Sequence, residues 1–522
     1  MANLSLSLKI SGNFFKKAEA WAGSLEGPAT TAYWIDAICI NQGDTEERNA
    51  QVRLMKDIYI RSELVLIWLG EESSNSTDGI ELISALCRAH RNGKISLNGQ
   101  QILKEEFVPA GLPDPKVPKW KALDALYWRP WFTRIWVIQE IAVARSAIFL
   151  CGDYAIPSGD LILSAQILDN RGVGILTGTE PREVTNMALA INAFHFYKWD
   201  LSSYLVSARS SESTDPRDKI YGILGLAIDK DNTAFDPDYS KLVATIYRDV
   251  AVACIQKAKS LDILNSVQDP LISLLASNSA PPERGAAGNS EATVSFSKDH
   301  KILYARGVAM DETRAVGCGN WPKNFDNIYS LTSSSFHESK LTTLKERRWR
   351  QWENMASKLG TYYYPTGQDV QEVFQRTVIF DAPVNTNEND NPLPLKELYR
   401  AFHCQWRRDR HFDGGDDKSL LDKNPVAGAY AKAVNLATSS RAFFITRKGY
   451  MGLGSLSTCL GDFVTVLYGG KTPFVLRRRG GKHYYTFAGE RYVHGLMNGE
   501  GLKKMGEDPE VDDSNVQEFA IL

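Results

Sequence analysis

Two apolar runs between Tyr33 and Gly70 predict a pair of buried strands. Residues 33–40 are apolar or aromatic except for Asp36, and residues 64–69 are apolar throughout. Continuous apolar runs of this length are typical of strands covered on both faces, as in a parallel sheet. A helical pattern separates the runs, and this order of elements favours the right-handed parallel crossover. The stretch therefore predicts an α/β fold.

The helix between the two runs has a recognisable start and one apolar face. Asp44 is in the position of an N-cap, and Glu47, three residues later, is the partner expected in a capping box. We expect one face of this helix to enter the core, because apolar and aromatic residues then recur at helical spacing. These residues are Val52, Met55, Ile58 and Tyr59.

A second dense stretch, WRPWFTRIWVIQEIAVAR, predicts a helix that carries a candidate catalytic group. Pro130 suits the first turn of a helix that continues to Arg145. Glu140 lies on this helix, one turn from Trp136 and outside the stripe of isoleucines that faces the core. Partial desolvation beside an indole raises the pKa of a carboxyl group, which would prepare Glu140 for proton transfer or for stabilising a cationic intermediate. Residues 147–151 then predict another buried strand.

Four shorter patterns add to this prediction. Alternating apolar and polar residues at 4–10 predict a strand, and residues 14–22 have helical spacing. Residues 92–118 contain Gly and Pro and are interpreted as an insertion over the sheet, a candidate lid. Asp215 and Pro216 mark the start of a helix, with Asp215 as its cap.

Changes in composition along the chain predict its division into domains. After the α/β domain come a helical region, a linker, a mixed and mainly helical region, a β-rich domain and an acidic, mobile tail. Short β runs with Gly-rich turns predict a small antiparallel barrel or sandwich, which a strand near residues 302–310 would complete. The predicted segments are 1–160, 161–276, 277–300, 301–440, 441–505 and 506–522.

Composition and charge exclude several classes of protein. With 60 Lys and Arg against 62 Asp and Glu, the formal net charge is -2, which gives no basic field for nucleic acid. The cysteines are scattered without a CxxC pair, which argues against a disulfide framework or a zinc site and favours a reducing compartment. No apolar run reaches the ~18 residues of a membrane helix. We therefore expect a soluble cytoplasmic protein with no metal, no membrane span and no nucleic-acid partner.

Several stretches carry a family resemblance. WIDAICINQ, the following ERNAQVRLMKDIYIRSELVLIWLG and the later RPWFTRIWVIQEIAVA closely resemble the fungal heterokaryon-incompatibility (HET) domain. DPRDKIYGILGLA, PDYS and the C-terminal FFITRKGYMGLG, GDFVTVLYGG, PFVLR and YVHGLMNGE resemble the region that follows this domain in many members. The resemblance spans nearly the whole chain.

The resemblance implies a fold and a biological role. HET proteins are associated with non-self recognition and programmed cell death in filamentous fungi, and their domain is distantly similar to Toll/interleukin-1 receptor (TIR) domains. It therefore implies a TIR-like, flavodoxin-like parallel sheet in residues 1–160, and as partner either further copies of the chain or another incompatibility protein. Members generally begin with a strand carrying an aLSYvWG-like motif, which is absent here. We expect either that residues 4–10 replace this strand or that the chain has a truncated or alternative start.

The comparison with TIR domains also implies a chemistry. Some TIR domains cleave NAD with a glutamate on a helix that carries a W-C-x-x-E-type motif, and RIWVIQE lies at the corresponding place. By this resemblance Glu140 is the catalytic candidate, with Trp136 beside it, and NAD is a candidate substrate rather than a cofactor. Breaking the nicotinamide–ribose bond passes through an oxocarbenium-like centre that a carboxylate can stabilise.

Three further residues are candidates for substrate binding. Asp36 follows a predicted buried strand, where open α/β sheets collect ligands, and Arg48 or Arg134 would meet a pyrophosphate. Each candidate has a structural alternative: Glu140 as a cap or ion-pair partner, Asp36 as an acceptor that fixes the next loop, and Trp136 as a core residue. Two functions stay open, a non-enzymatic HET module that signals by self-association and an NAD hydrolase that uses Glu140.

Overall fold

The computed structural model divides the chain into two compact units, residues 1–250 and 251–522. The predicted strand at residues 4–10 and helix at 14–22 lie outside the residues that the structure describes. The described residues are 32–97, 102, 104–171, 173–177, 179, 182–266, 285–317, 347–384, 393–408, 424–438, 441–480, 483–503 and 515–522.

The first unit is built from helices around a small sheet. Its strands are β1 (Val65–Trp68), β2 (Ala147–Cys151) and β3 (Tyr154–Pro157). A single π-helical turn lies at Ala193–Tyr197, and the boundary between the units falls within the last helix. The helices are α1 (Asp36–Cys39), α2 (Thr45–Arg61), α3 (Ser76–Arg91), α4 (Phe107–Ala110), α5 (Lys119–Tyr127), α6 (Trp136–Val143), α7 (Ser158–Asn170), α8 (Val173–Thr177), α9 (Arg182–Asn192), α10 (Leu201–Ser207), α11 (Asp218–Leu224) and α12 (Val243–Ala258).

The sheet pairs two of the predicted strands in parallel. β1 and β2 run parallel, with Val65 opposite Ala147, and β3 returns antiparallel to β2 through a turn at Gly152. The side chains of Ile67 and Phe149 are buried in a core that α3, α5 and α7 cover. The end of β1 is fixed by Arg129, whose guanidinium donates to the carbonyls that flank Gly70, at 3.0 and 2.8 Å.

The run Tyr33–Ile40 is not a strand, contrary to the prediction. Asp36–Cys39 form the single helical turn α1, and the N–H groups of Ile38 and Cys39 both donate to Ile35 O, at 3.0 and 2.8 Å. Ile38 is 68% exposed, so the run is not covered on both faces. A strand needs a neighbour that takes up its backbone groups, and none of the described strands pairs with this run. The apolar composition alone therefore gave the wrong element.

Helix α2 begins where its capping signal predicts. Asp44 Oδ1 accepts hydrogen bonds from the N–H groups of Glu46 and Glu47, at 2.9 and 3.1 Å. The Glu47 carboxylate reaches back past the cap and accepts from Asn41 N at 2.9 Å. Of the predicted apolar face Met55 is buried and the other members are half-buried, so only the middle of that face enters the core.

The predicted helix from Pro130 to Arg145 is broken. Pro130–Thr133 form a short 3-10 helix, Arg134 is extended, and α6 begins only at Trp136. The break has a tertiary cause, because Arg134 forms an isolated bridge with Glu212 and Ile135 N donates to Glu212 O at 2.9 Å. A hydrogen bond from a segment nearly eighty residues away cannot be read from the local pattern.

The insertion at residues 92–118 is part of the core rather than a lid. Ile95, Phe107 and Leu112 are all buried, and Phe107 meets Trp120 edge to face with ring centroids 5.9 Å apart. Opening this segment would expose these side chains to water, at a free-energy cost of ~1.5–3 kcal/mol for each large apolar residue. The described part of the insertion therefore has no lid-like character.

The second unit combines helices with a larger sheet. Residues 347–357 are also helical, and none of the described helices in either unit has both the length and the apolar character needed to cross a membrane. The helices are α13 (Val370–Thr377), α14 (Leu395–Arg408), α15 (Pro425–Thr438) and α16 (Glu500–Lys503). The strands are β4 (Val294–Phe296), β5 (Leu303–Gly317), β6 (Tyr362–Tyr363), β7 (Gln368–Asp369), β8 (Arg441–Thr446), β9 (Met451–Ser455), β10 (Phe463–Leu467), β11 (Phe474–Arg479), β12 (Tyr484–Glu490), β13 (Tyr492–Val493) and β14 (Val516–Ile521).

Five strands of the second unit close into a barrel. β5 pairs with both β10 and β14, and the pairs β10–β11, β11–β12 and β12–β14 complete the ring. Every pair is antiparallel except β12–β14, and β5 is long enough to continue into a pairing with β8. Valines at 308, 464, 466 and 475, from three of these strands, belong to one buried apolar cluster. The predicted C-terminal β domain is therefore present, and the strand predicted near residues 302–310 belongs to it.

The predicted linker and tail contribute to this barrel. Within the linker, the N–H groups of Ala286 and Ala287 donate to Lys471 O and Gly470 O at 3.0 and 3.1 Å, and β4 pairs with β5. Within the tail, predicted to be mobile, residues 516–521 form β14. The polar composition of the linker and the tail did not indicate the strands that they contain. A few buried apolar side chains, such as Phe519, are enough to anchor a short strand.

We predict that Phe519→Ala lowers the free energy of unfolding of the second unit by about 3 kcal/mol, because it empties a buried site that packs on Tyr485. Glu518→Ala is the matched control, since the neighbouring side chain on the same strand is exposed. Hydrogen exchange of peptides from β5 during urea unfolding measures the change. Equal protection in the two variants would contradict the placement of β14.

Candidate functional site

Four polar residues from four segments of the first unit meet beside α6. Glu140 lies on α6, Tyr59 on α2, Asp36 on α1, and Arg134 in the extended break before α6. The Tyr59 hydroxyl is within hydrogen-bonding reach of the Glu140 carboxylate, and Asp36 and Arg134 are close enough to act on Glu140 electrostatically. We call these four residues the Glu140 cluster.

The Glu140 carboxyl has a strongly shifted acidity. Burial raises its pKa to about 7, and the negative charge of Asp36 acts in the same direction. The charge of Arg134 and the hydrogen bond from Tyr59 oppose the shift. Burial and the nearby carboxylates also raise the pKa of Tyr59, which therefore stays a hydrogen-bond donor. Protein atoms surround the Glu140 carboxyl group, but part of the side chain is still exposed to solvent. Near neutral pH the group can thus be either a proton donor or a carboxylate.

Asp36 and Arg134 border this cluster in different ways. Asp36 is the first residue of the α1 turn, where its Oδ1 accepts from Ala37 N at 2.8 Å. It is half-buried, whereas Arg134 is exposed. Asp36 thus lies close to Glu140, but on a helical turn and not at the end of the predicted strand.

Arg48 lies in a second group of charges. Its Nη2 is 3.7 Å from Asp215 Oδ2 and 3.6 Å from Asp218 Oδ1, and its guanidinium stacks 3.5 Å from the centroid of the Tyr239 ring. The Tyr239 hydroxyl donates to Asp218 Oδ1. Burial raises the pKa of Asp218, while the hydrogen bonds from Tyr239 and Trp136 and the charge of Arg48 oppose the shift. Arg48 is thus engaged within the protein.

Arg217 also belongs to this second group of charges. Its Nε and Nη2 bind the two oxygens of Asp215 at 2.9 and 2.8 Å, a bidentate fork, and Nη1 donates to Lys241 O at 3.0 Å. Burial favours the protonated form of Asp215, but the hydrogen bonds and charge of Arg217 and the charge of Arg48 outweigh it and lower the Asp215 pKa. We call Arg48, Asp215, Arg217, Asp218 and Tyr239 the Arg48 cluster. The predicted helix start at Asp215 shifts accordingly, since α11 begins at Asp218 after this turn.

Trp136 belongs to the Arg48 cluster side of α6. Its indole is within hydrogen-bonding reach of Asp218, and its ring lies against Gly222 of α11. A Cβ at Gly222 would be 3.2 Å from the side chain of Ile135 and 3.5 Å from the Trp136 ring. A Cβ at Gly225 would be 2.4 Å from Gln139 Oε1, so α11 approaches α6 closely at two glycines. Trp136 therefore serves helix packing in this structure.

The five residues predicted for the site are thus split between two clusters on neighbouring surfaces of α6. Asp36, Arg134 and Glu140 come together, and Arg48 and Trp136 meet at Asp218. Their roles in catalysis and substrate binding stay predictions. Among the described residues, no set of three His, Cys, Asp or Glu side chains is arranged to hold a metal ion.

Sequence reasoning missed Tyr59 and Tyr239 as parts of these clusters. Tyr59 was assigned to the apolar face of α2, and its hydroxyl group was the available signal, since a buried tyrosine hydroxyl usually has a hydrogen-bond partner. Tyr239 lies in the PDYS segment, which contributed only to the family resemblance. Nothing local in the sequence connects it to Arg48, nearly two hundred residues earlier.

Two family models match separate parts of the chain. The model of the heterokaryon incompatibility protein (HET) matches residues 24–140, and the model of the Het-6 beta-barrel domain matches residues 397–508. Over 90% of its length the chain is 23% identical to heterokaryon incompatibility protein 6, OR allele, of Neurospora crassa, of which 81% is covered. The chain is a fungal HET-domain protein. No solved structure matches it.

The HET match contains all five residues predicted for the site. Asp215, Arg217, Asp218 and Tyr239 of the Arg48 cluster lie beyond it. The barrel match ends before β14 and starts after β5, although the structure places both strands in the ring of this HET-domain protein. The closed barrel is therefore longer in sequence than the matched segment.

We predict that Glu140→Gln makes the protein more stable than the wild type at pH 8, by on the order of 2 kcal/mol. Folding raises the pKa of Glu140 from 4.5 to about 7. The wild type therefore has its full stability below pH 4.5 and loses stability relative to the variant as the pH rises through 7. The difference between the proteins should therefore vanish near pH 4.5. Urea unfolding at both pH values, with the exposed Glu63→Gln as control, measures it. A variant less stable than wild type at pH 8 would contradict the assignment.

Proposed function

We propose that this HET-domain protein acts in fungal non-self recognition and programmed cell death, and that it signals by self-association of a TIR-like HET domain. Membership of the heterokaryon-incompatibility family supports the biological role. The parallel pair β1–β2, covered by helices, is compatible with a TIR-like sheet. Within the part of the chain that the structure describes, the cysteines at 39, 87, 151, 404 and 459 are free thiols, which is compatible with the cytoplasm that we propose as its location.

An exposed apolar surface on the first unit supports self-association. Phe196 and Tyr197 end the π-helical turn and are 75% and 64% exposed, and Ile228 is 59% exposed. Ile228 lies in the same region, because its N–H donates to the carbonyl of Trp199 at 3.1 Å. Aromatic residues of this kind are the side chains that most often anchor protein interfaces. We assign this surface to a second copy of the chain, and another incompatibility protein is the alternative partner.

We predict that Phe196→Glu/Tyr197→Glu weakens self-association of the full chain by tenfold or more. Placing two carboxylates in an apolar contact removes its anchors and adds like-charge repulsion. Sedimentation velocity over a concentration series measures the dissociation constant of the wild type and the variant. Val108→Glu is the matched control, since Val108 is a 71% exposed apolar residue of the same unit.

Two outcomes would contradict self-association through this surface. The first is a wild-type protein that stays monomeric at all concentrations tested. The second is an equal weakening by the Val108 variant, which would trace the effect to charge rather than to this surface. If association of the wild type required an added incompatibility protein, the alternative partner would replace the second copy.

A second candidate function is hydrolysis of NAD, and the Glu140 cluster favours it. Water attack at the ribose carbon yields ADP-ribose, nicotinamide and a proton, with the bonding electrons leaving on the nicotinamide ring. A carboxylate beside the ribose would stabilise the developing positive charge, and the side chain of Glu140 is partly exposed. Its pKa near 7 leaves both protonation states available at the pH of the cytoplasm.

We predict that nicotinamide release by concentrated wild-type protein rises with pH and levels off above pH 7, because the carboxylate form of Glu140 is the active one. Glu140→Gln should lower the rate at least a hundredfold, and Glu63→Gln should leave it unchanged. Chromatography of the products follows nicotinamide and ADP-ribose together. No release by the wild type, or equal release by Glu140→Gln, would reject this function while leaving self-association intact.

A further inference from the structure

The second unit contains a cavity of about 430 Å³ next to the barrel. Small-molecule sites in proteins usually have ~300–1,000 Å³, so this volume suits a small ligand or one side chain of a partner. Buried Tyr492, His494 and Met497 form its floor, while exposed Thr366 and Asn498 lie at its rim. All lining residues belong to the second unit.

The imidazole of His494 is a fixed and neutral part of this floor. Its Nε2 donates to Gln368 Oε1 at 2.8 Å, because an amide oxygen can only accept, and its Nδ1 accepts from the Tyr492 hydroxyl at 3.1 Å. Burial lowers the pKa of His494, against the nearby carboxylates. The Thr366 hydroxyl also donates to Gln368 Oε1, at 2.6 Å. His494 therefore shapes the cavity without adding charge.

The charges around the cavity are mainly negative. Asp381 and Glu500 line it, and the carboxylate of Glu372 and the guanidinium of Arg376 act on His494 from α13. The Arg376 guanidinium donates hydrogen bonds to both Asp381 and Glu372, at 2.8 and 2.9 Å. Glu500 accepts from Asn498 N and Nδ2 at 2.6 and 3.2 Å and has no ion pair within the described part of the chain. Three carboxylates thus face one guanidinium.

We propose that this cavity binds an organic cation that carries an ammonium or guanidinium group, supplied either by a small amine or by a basic side chain of a peptide. The excess of carboxylates favours a positive ligand. An organic ligand fits better than a metal ion, since these side chains form no three-ligand set among the described residues. Tyr492 supplies an aromatic side chain to the lining, and Tyr364, which precedes the lining residue Pro365, is 88% exposed and offers its ring to a cation.

Isothermal titration of the full chain at low salt tests this proposal. Putrescine represents a free amine, with 1,4-butanediol as its neutral counterpart. Acetyl-Gly-Arg-Gly-amide represents a basic side chain, with the citrulline peptide as its neutral isostere. We expect saturable binding of one cationic probe and none of its neutral counterpart, and the probe that binds identifies the source of the cation.

Charge-removing variants locate the binding site. Glu500→Gln and Asp381→Asn should each weaken binding about tenfold, because each removes one carboxylate from the cavity and retains a similar shape. Glu397→Gln, at an exposed position of α14, should bind as the wild type does. Thermal melting of each variant establishes that it is folded, and a folded Glu500→Gln remains decisive if Asp381→Asn fails to fold.

Three results would overturn the proposal. One is the absence of saturable binding of both cationic probes to the wild type, and another is equal binding of a neutral counterpart. The third is unchanged affinity in the folded cavity variants. None of these results depends on self-association or on NAD hydrolysis, because the cavity lies in the second unit.

Discussion

The charges around α6 can be held partly away from water only because each has an opposite charge or a hydroxyl group beside it. An unpaired charge in such a place would raise the free energy of the folded state by several kcal/mol. Arg48 on α2 supplies the positive charge beside Asp215, in the turn before α11, and beside Asp218, the first residue of α11. Tyr239 adds a hydroxyl group to Asp218 and a ring face to Arg48. Since α6 contacts both α2 and α11, this cluster fixes the helix that carries Glu140. The second cluster thus supports the geometry of the first.

Much of the fold follows from local patterns in the sequence. The cap at Asp44, the strands at 65–68 and 147–151 and the short β runs after residue 441 are all set by nearby residues, and the structure contains them. The errors have a common physical origin in contacts between distant segments. The run Tyr33–Ile40 lacks a neighbouring strand, the helix after Pro130 is interrupted by a bridge to Glu212, and β14 exists because β5 pairs with it.

Local sequence patterns predicted the arrangement of the candidate site less well than they predicted the fold. The indole of Trp136 was expected to desolvate Glu140, but the structure directs that ring toward Asp218 and Gly222. The pKa of Glu140 is raised mainly by burial, and the nearby carboxylate of Asp36 adds to the shift. Burial thus raises the pKa in the expected direction. A periodic pattern identifies which residues share a helix face, but it does not say what the neighbouring helix places against that face.

The two arginines proposed for a pyrophosphate differ in what binding would require. Arg48 could approach an anion only by leaving Asp215 and Asp218, and two partly buried carboxylates would then lose one of their counter-charges. Arg134 is exposed and already acts on Glu140 across a short distance, so an anion beside it would displace little more than water. If the HET domain binds NAD, its phosphates therefore belong beside Arg134, and Arg48 contributes by holding α2 against α11 so that Glu140 keeps its place.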